Sequence, residues 1–283
     1  MPDSVRVPST DGVDLALHDL GGDGPPLLIA HATGFCAGAY RPLAQKLTDH
    51  HHVWALDFRG HGDSTLPDGL LSWEGMTDDV LAVVDALDAG PIPAFGHSMG
   101  GACLLAAERR RPGTFSTAFV FEPIIFPQVF VDMSTTDNPL SISAARRRPS
   151  FASRAEALAR YASRPPLGRF RADVLWNYVE HGFREAADGT VTLKCSPETE
   201  AATFLAPGKP AVEQMDIVAT PTVVAFGTRD ASPGPADMAP LVADALPNGT
   251  PYRYEHLSHF GPFEDPDSIA EDVRAHLISV GVD

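Results

Sequence analysis

The sequence predicts an α/β fold, a mostly parallel sheet flanked by helices and interrupted once by an inserted helical segment. Three observations lead there. Short apolar runs alternate with stretches at helical spacing along most of the 283 residues. Polar, glycine-rich segments follow those runs, where the strands of a parallel sheet end and ligands bind. The alternation stops between about residues 125 and 216 and then resumes.

The elements follow in order. Val5 to Leu20 alternates loosely around Asp11-Gly12, which predicts an opening hairpin. Pro26 to Ala30 is a short apolar run, as a buried parallel strand requires, and ends at His31-Ala32-Thr33-Gly34-Phe35. Tyr40 to Leu47 reads as helix, Val53 to Leu56 as the next strand. That strand runs into Asp57-Phe58-Arg59-Gly60-His61-Gly62-Asp63-Ser64. Met76, Val80, Val83, Val84 and Leu87 mark a helix over Trp73 to Leu87. A strand at Ile92 leads to Gly96-His97-Ser98-Met99-Gly100 and a helix that runs to Arg110 before Pro112-Gly113. Ala118 to Phe121 is a strand ending at Glu122-Pro123. The break then holds helix-like segments at Ser153 to Tyr161, Asp173 to Glu180 and Glu198 to Phe204. Arg146-Arg147-Arg148 within it reads as a solvated helix end rather than a phosphate site. Afterwards come a strand at Thr222 to Phe226, a helix at Met238 to Leu246 and a strand at Tyr252 to Leu257. A last helix is expected from a Ser268 cap.

Composition narrows the class. A hydrophobic content of 44% with 20% charged residues is that of a globular protein. A net charge of −16 argues against nucleic acid and anionic membrane surfaces as partners. Three cysteines, Cys36, Cys103 and Cys195, indicate no disulfide framework. No apolar run approaches the ~20 residues of a membrane span. Met1-Pro2-Asp3-Ser4 has no secretory character, so a cytoplasmic location is the default expectation. Whether the chain forms a homodimer is left open.

The Gly96–Gly100 stretch is G-x-S-x-G between a strand and a helix, the context that gives this pattern meaning. Such a turn is tight and strained, and flanking glycines let strand and helix pack closely. It projects the Ser98 hydroxyl and leaves helix N–H groups unpaired beside it. A serine hydroxyl needs a base, and imidazole suits the task. Of the eleven histidines, His259 follows the last strand in a loop beside Gly261-Pro262, where it can reach Ser98. A carboxylate must then orient the ring. Asp230, ending the strand before the last, is preferred; Glu122, ending the strand after the serine helix, is the alternative. Expected oxyanion donors are the Met99 amide, directly after the nucleophile, and the Thr33 amide, in the loop after the Leu27 strand.

Four pieces in this order resemble the α/β-hydrolase family: His31–Phe35, Asp57-x-Arg59-Gly60-His61-Gly62-x-Ser64, the Gly96–Gly100 elbow, and Gly227-x-x-Asp230 with the late His259. The resemblance implies an eight-stranded, mostly parallel sheet, with a core of residues 1–124 and 216–283 and a helical cap over 125–215. Ala32 stands where the family loop often has glycine. Glu122 occupies the place where some members, such as haloalkane dehalogenases, carry their acid. Aspartate-nucleophile relatives, the dehalogenases and epoxide hydrolases, are disfavoured by Ser98. The implied activity is a serine hydrolase of esters or related acyl compounds, with thioesterase, C–C bond hydrolase, lyase and perhydrolase uses of the same residues as alternatives. A non-enzymatic receptor on the same fold is the least favoured reading. No cofactor and no metal are implied. A small or medium apolar acyl compound is the expected substrate, with Phe35, His97, Trp176 and Phe260 as candidate pocket residues. Phe151, Tyr178 and Phe183 join Trp176 as aromatics of the insertion, where packing is their ordinary role.

Overall fold

The computed structural model describes residues 4–133, 138–230 and 234–282. Its main sheet has eight strands, built from β1 (Ser4–Pro8), β2 (Asp14–Asp19), β3 (Pro26–Ala30), β4 (His52–Asp57), β5 (Ile92–His97) and β6 (Phe115–Phe121). A second, three-stranded sheet follows, made of β7 (Ser150–Phe151), β8 (Phe183–Glu185) and β9 (Val191–Leu193). β10 (Thr222–Gly227) and β11 (Gly249–Tyr254) complete the main sheet, whose order is β1-β2-β4-β3-β5-β6-β10-β11. β1, β2 and β4 pair antiparallel; every pairing from β4 to β11 is parallel.

The period of two decides which face each strand residue feeds. In β3, Leu28 and Ala30 join the core beneath helices Trp73–Leu87 and Met99–Arg110, with Val80 and Leu104. Leu27 and Ile29 point the other way, into the core shared with Tyr40, Leu43 and helix Pro266–Ser279. Both faces are covered, so the central strands are continuously apolar. Among the described residues, no helix is long and apolar enough to cross a membrane.

Several local expectations shift. The opening hairpin and helix Trp73–Leu87 stand where expected, the latter capped by Ser72 accepting from the Gly75 amide. The stretch after Tyr40 is only a short helix, Arg41–Ala44, preceded by a 3₁₀ turn at Ala37–Tyr40. The last helix starts at Pro266, and its cap is Asp265, which accepts from the Ser268 amide. Between β6 and β10 lie the expected helices, Arg154–Ala162, Ala172–His181 and Pro197–Leu205, but the three-stranded sheet sits among them.

Asp57, at the end of β4, ties the following loop together. Its Oδ1 accepts from the Ala37 amide at 2.7 Å, and its Oδ2 meets His18 Nε2 at 2.7 Å and the Asp63 amide at 2.9 Å. Burial works against its charge, yet the hydrogen bond and charge of His18, with His31 and the Ala37 amide, hold its carboxyl down at about 2. A depressed native value means stability present above the unfolded value, near 4, and lost as pH falls toward 2. We expect the urea midpoint to drop over that window by the equivalent of about 2 kcal/mol, and Asp57→Asn to flatten that part of the profile.

Candidate active site

The ends of β3, β5, β6, β10 and β11 converge on Ser98. Its backbone sits at φ 55°, ψ −116°, a conformation few non-glycine residues hold. The strain persists because the turn is over-determined. The Ser98 amide donates to Phe121 O at 2.9 Å, and Ser98 O accepts from the Ala102 and Ile124 amides at 3.1 and 3.2 Å. A Cβ on Gly96 would lie 2.6 Å from Gly101 Cα, and one on Gly100 only 2.1 Å from Ala30 O. Both obstacles are backbone, so neither can swing aside. Gly100→Ala is therefore expected to displace the turn by a sizeable fraction of an ångström and lower kcat about 100-fold, while circular dichroism stays unchanged. Activity within a few-fold of the parent would show that the close approach to β3 is unimportant.

His259 meets Ser98. Its Nε2 is 3.1 Å from Ser98 Oγ, and its Nδ1 is 2.7 Å from Glu122 Oε2. Glu122 is 1% exposed, and its Oε1 accepts from the Gly227 amide at 2.9 Å. It stands at φ 43°, the left-handed turn that swings the side chain back across the end of β10. The expectation that Asp230 would hold the ring is not what the structure places there. Asp230 lies three residues beyond β10, is largely exposed, and spends Oδ2 on the His259 backbone amide at 2.8 Å. The reason is positional: β6 neighbours the serine strand β5, so its end lies directly under the imidazole. One acid thus touches the ring and the other its main chain.

The His259 carbonyl is held as well, by His97 Nε2 at 2.8 Å. A carbonyl only accepts, so His97 carries its proton on Nε2 and accepts at Nδ1 from the Tyr40 hydroxyl, 2.8 Å away. Tyr40 Oη in turn accepts from the Ala32 amide at 3.0 Å. A continuous chain runs from the loop after β3 to the histidine loop. Burial, reinforced by His259, pushes the His97 pKa well down, so the ring stays neutral. His97 was expected in the pocket wall; it is completely buried beneath it.

Thr33 stands at the cavity, and its hydroxyl donates to Met99 Sδ at 3.3 Å, joining the two segments expected to supply oxyanion donors. Met99 opens helix Met99–Arg110, so its amide has no acceptor within the helix. Phe35 and Phe260 line the cavity with Ser98 and His259. Trp176 does not; it is 46% exposed on helix Ala172–His181. Tyr178 and Phe183 are buried among the aromatics of the insertion, while Phe151 reaches the cavity wall.

The alpha/beta hydrolase family pattern matches residues 27–272. The chain belongs to the alpha/beta hydrolase family. It is 27% identical over 282 residues, 96% of this chain and 99% of its relative, to the non-heme chloroperoxidase of Streptomyces lividans. Among solved structures, an E-2-(acetamidomethylene)succinate hydrolase superposes with TM-score 0.76 at 20% identity, covering 98% of this chain and 99% of that one. A thermophilic esterase of Thermogutta terrifontis, with malate bound, gives TM-score 0.73 at 22% identity, with 98% and 99% covered. At those identities the two structures speak for the fold. The family assigns this hydrolase an enzymatic role of the hydrolytic kind and agrees with its eight-stranded sheet.

Proposed function

We propose that this hydrolase cleaves a carboxylic ester or related acyl compound through a covalent acyl-enzyme on Ser98. The observation that carries the reading is the line of contacts Ser98 Oγ–His259–Glu122, at 3.1 and 2.7 Å. Glu122 accepts the proton on Nδ1, so the Nε2 lone pair faces the serine hydroxyl. His259 takes the Ser98 proton as Oγ attacks the substrate carbonyl. The Met99 and Thr33 amides receive the oxygen that becomes negative, each worth ~3 kcal/mol in comparable sites. The C–X bond breaks as His259 protonates the leaving group, and the imidazole next deprotonates the water that releases the acid. Residues 125–215 act as a cap that walls the cavity over Ser98.

The similarity to a protein named a chloroperoxidase supports a second reading, in which hydrogen peroxide in place of water accepts the acyl group. It shares the first half-reaction. The test is covalent: a fluorophosphonate should add one adduct mass to the peptide holding Ser98, and nitrophenyl acetate should give a burst followed by turnover. Labelling elsewhere, or no labelling with the fold intact, rules out the acyl-enzyme.

A further inference from the structure

The cavity that holds Ser98 and His259 has a volume of about 550 Å³ and is walled by Arg146, Arg147, Arg148, Arg160 and Arg164. Glu200 is the one acidic residue in that wall among the described residues. Glu200 pairs with Arg147, which also donates to Tyr178 Oη at 2.6 Å and Tyr161 Oη at 3.3 Å. Arg148 is taken up outside the cavity, by Glu156 at 2.7 Å and by Ser150 O. Arg146, Arg160 and Arg164 have no carboxylate within ion-pair distance among the described residues; Glu156, four residues before Arg160, feels its charge without pairing. This excess of cations stands in a chain of net charge −16, where sixteen more acidic than basic groups were available as partners. Arginine without a partner on a concave, partly apolar surface is unusual, because its fork suits carboxylates and it gains by meeting one.

We propose that this hydrolase acts on an anionic acyl substrate, one carrying a carboxylate remote from the carbonyl that Ser98 attacks. The inference rests on the acyl-enzyme reading above and revises the apolar substrate expected from the sequence. Arg146 and Arg164 are exposed and Arg160 half-buried, so they stand toward solvent while Ser98 is buried. The carboxylate engages these guanidinium groups, and Phe35, Phe151 and Leu167 cover the carbon chain between the two ends. The same positive mouth draws anions toward an otherwise acidic protein. Arg146, one member of the triplet read from sequence as a solvated helix end, joins Arg160 and Arg164 as the recognition element.

The test separates binding from chemistry. In Ser98→Ala, which cannot be acylated, calorimetry compares monomethyl glutarate with dimethyl glutarate, ligands that differ in one charge. The half-ester is expected to bind at least about tenfold tighter at low salt. Arg146→Gln/Arg160→Gln/Arg164→Gln should bring that ratio close to unity, and raising the salt should narrow it. Equal binding of the two ligands, or an unchanged ratio in the triple variant, overturns the proposal. Should the triple variant not fold, Arg164→Gln alone must lower the ratio at least about threefold for the proposal to stand. Fluorophosphonate labelling of the unaltered chain reports on the acyl-enzyme independently. A charge-selective cavity beside an unreactive Ser98 would sink the chemistry and keep the anion site.

Discussion

Glu122→Gln is expected to lower kcat about 10⁴-fold, while Asp230→Asn stays within about threefold of the parent. The two substitutions remove the same charge and differ in what the new amide meets. Gln at 122 keeps the acceptor for the Gly227 amide, but its NH₂ would face the proton on His259 Nδ1. Two donors cannot share that 2.7 Å contact. The ring relieves the conflict by moving its proton to Nε2, which then points a hydrogen at Ser98 Oγ where a lone pair is needed. The serine is left without a base although the geometry is unchanged. Asn at 230 still presents a carbonyl oxygen to the His259 amide, so the loop keeps its place. Initial rates on a nitrophenyl ester with both variants decide the matter. Should Asp230→Asn prove the crippled one, Glu122 is not the orienting acid.

Asp79→Ala is expected to cost about 3–5 kcal/mol of stability, the largest loss we foresee from one side chain. Arg59 and Asp79 are both fully buried. The carboxylate takes Nε at 2.9 Å and Nη2 at 2.8 Å, the Arg59 backbone amide at 3.1 Å, and the Ser9 hydroxyl at 2.7 Å. Truncation strands a guanidinium in the core with only half-exposed Asp11, 2.8 Å away, and Thr10 to meet it. The space is already tight, since a Cβ on Gly75 would lie 2.1 Å from Arg59 Nη1. Asp11→Ala, by contrast, should cost no more than about 1 kcal/mol, because solvent replaces that partner. Urea melts of the two variants test the contrast; equal midpoints would contradict it.

What could be read from the sequence was local or periodic. Leu27 to Ala30 and Ile92 to Phe95 are buried strands because both faces are covered, and unbroken apolar runs record that directly. The serine turn was legible because steric demand fixes its glycines. β7, β8 and β9 were not, since strands of two or three residues leave no measurable alternation. The choice between Asp230 and Glu122 turns on a left-handed residue at 122, and nothing in Phe121-Glu122-Pro123 announces a positive φ. Ser268 reads as a cap, but Pro266 opens the helix two residues earlier and Asp265 holds the cap position. Arg160 and Arg164 share no motif with Arg146, and only folding brings them to one wall. His97 occupies a variable position of G-x-S-x-G, so its partnership with Tyr40 had no signature.

That partnership has a mechanical consequence. The Ala32 amide, the Tyr40 hydroxyl and the His97 ring form a rigid rod whose far end grips the His259 carbonyl. In the proposed reaction, the oxygen of the tetrahedral adduct and the proton that shuttles beside it would therefore be served by two loops tied together. A strut with no ionisable charge near neutrality would keep its length as the proposed reaction charges the His259 ring, whose carbonyl it holds, so the proposed oxyanion donors would not have to readjust.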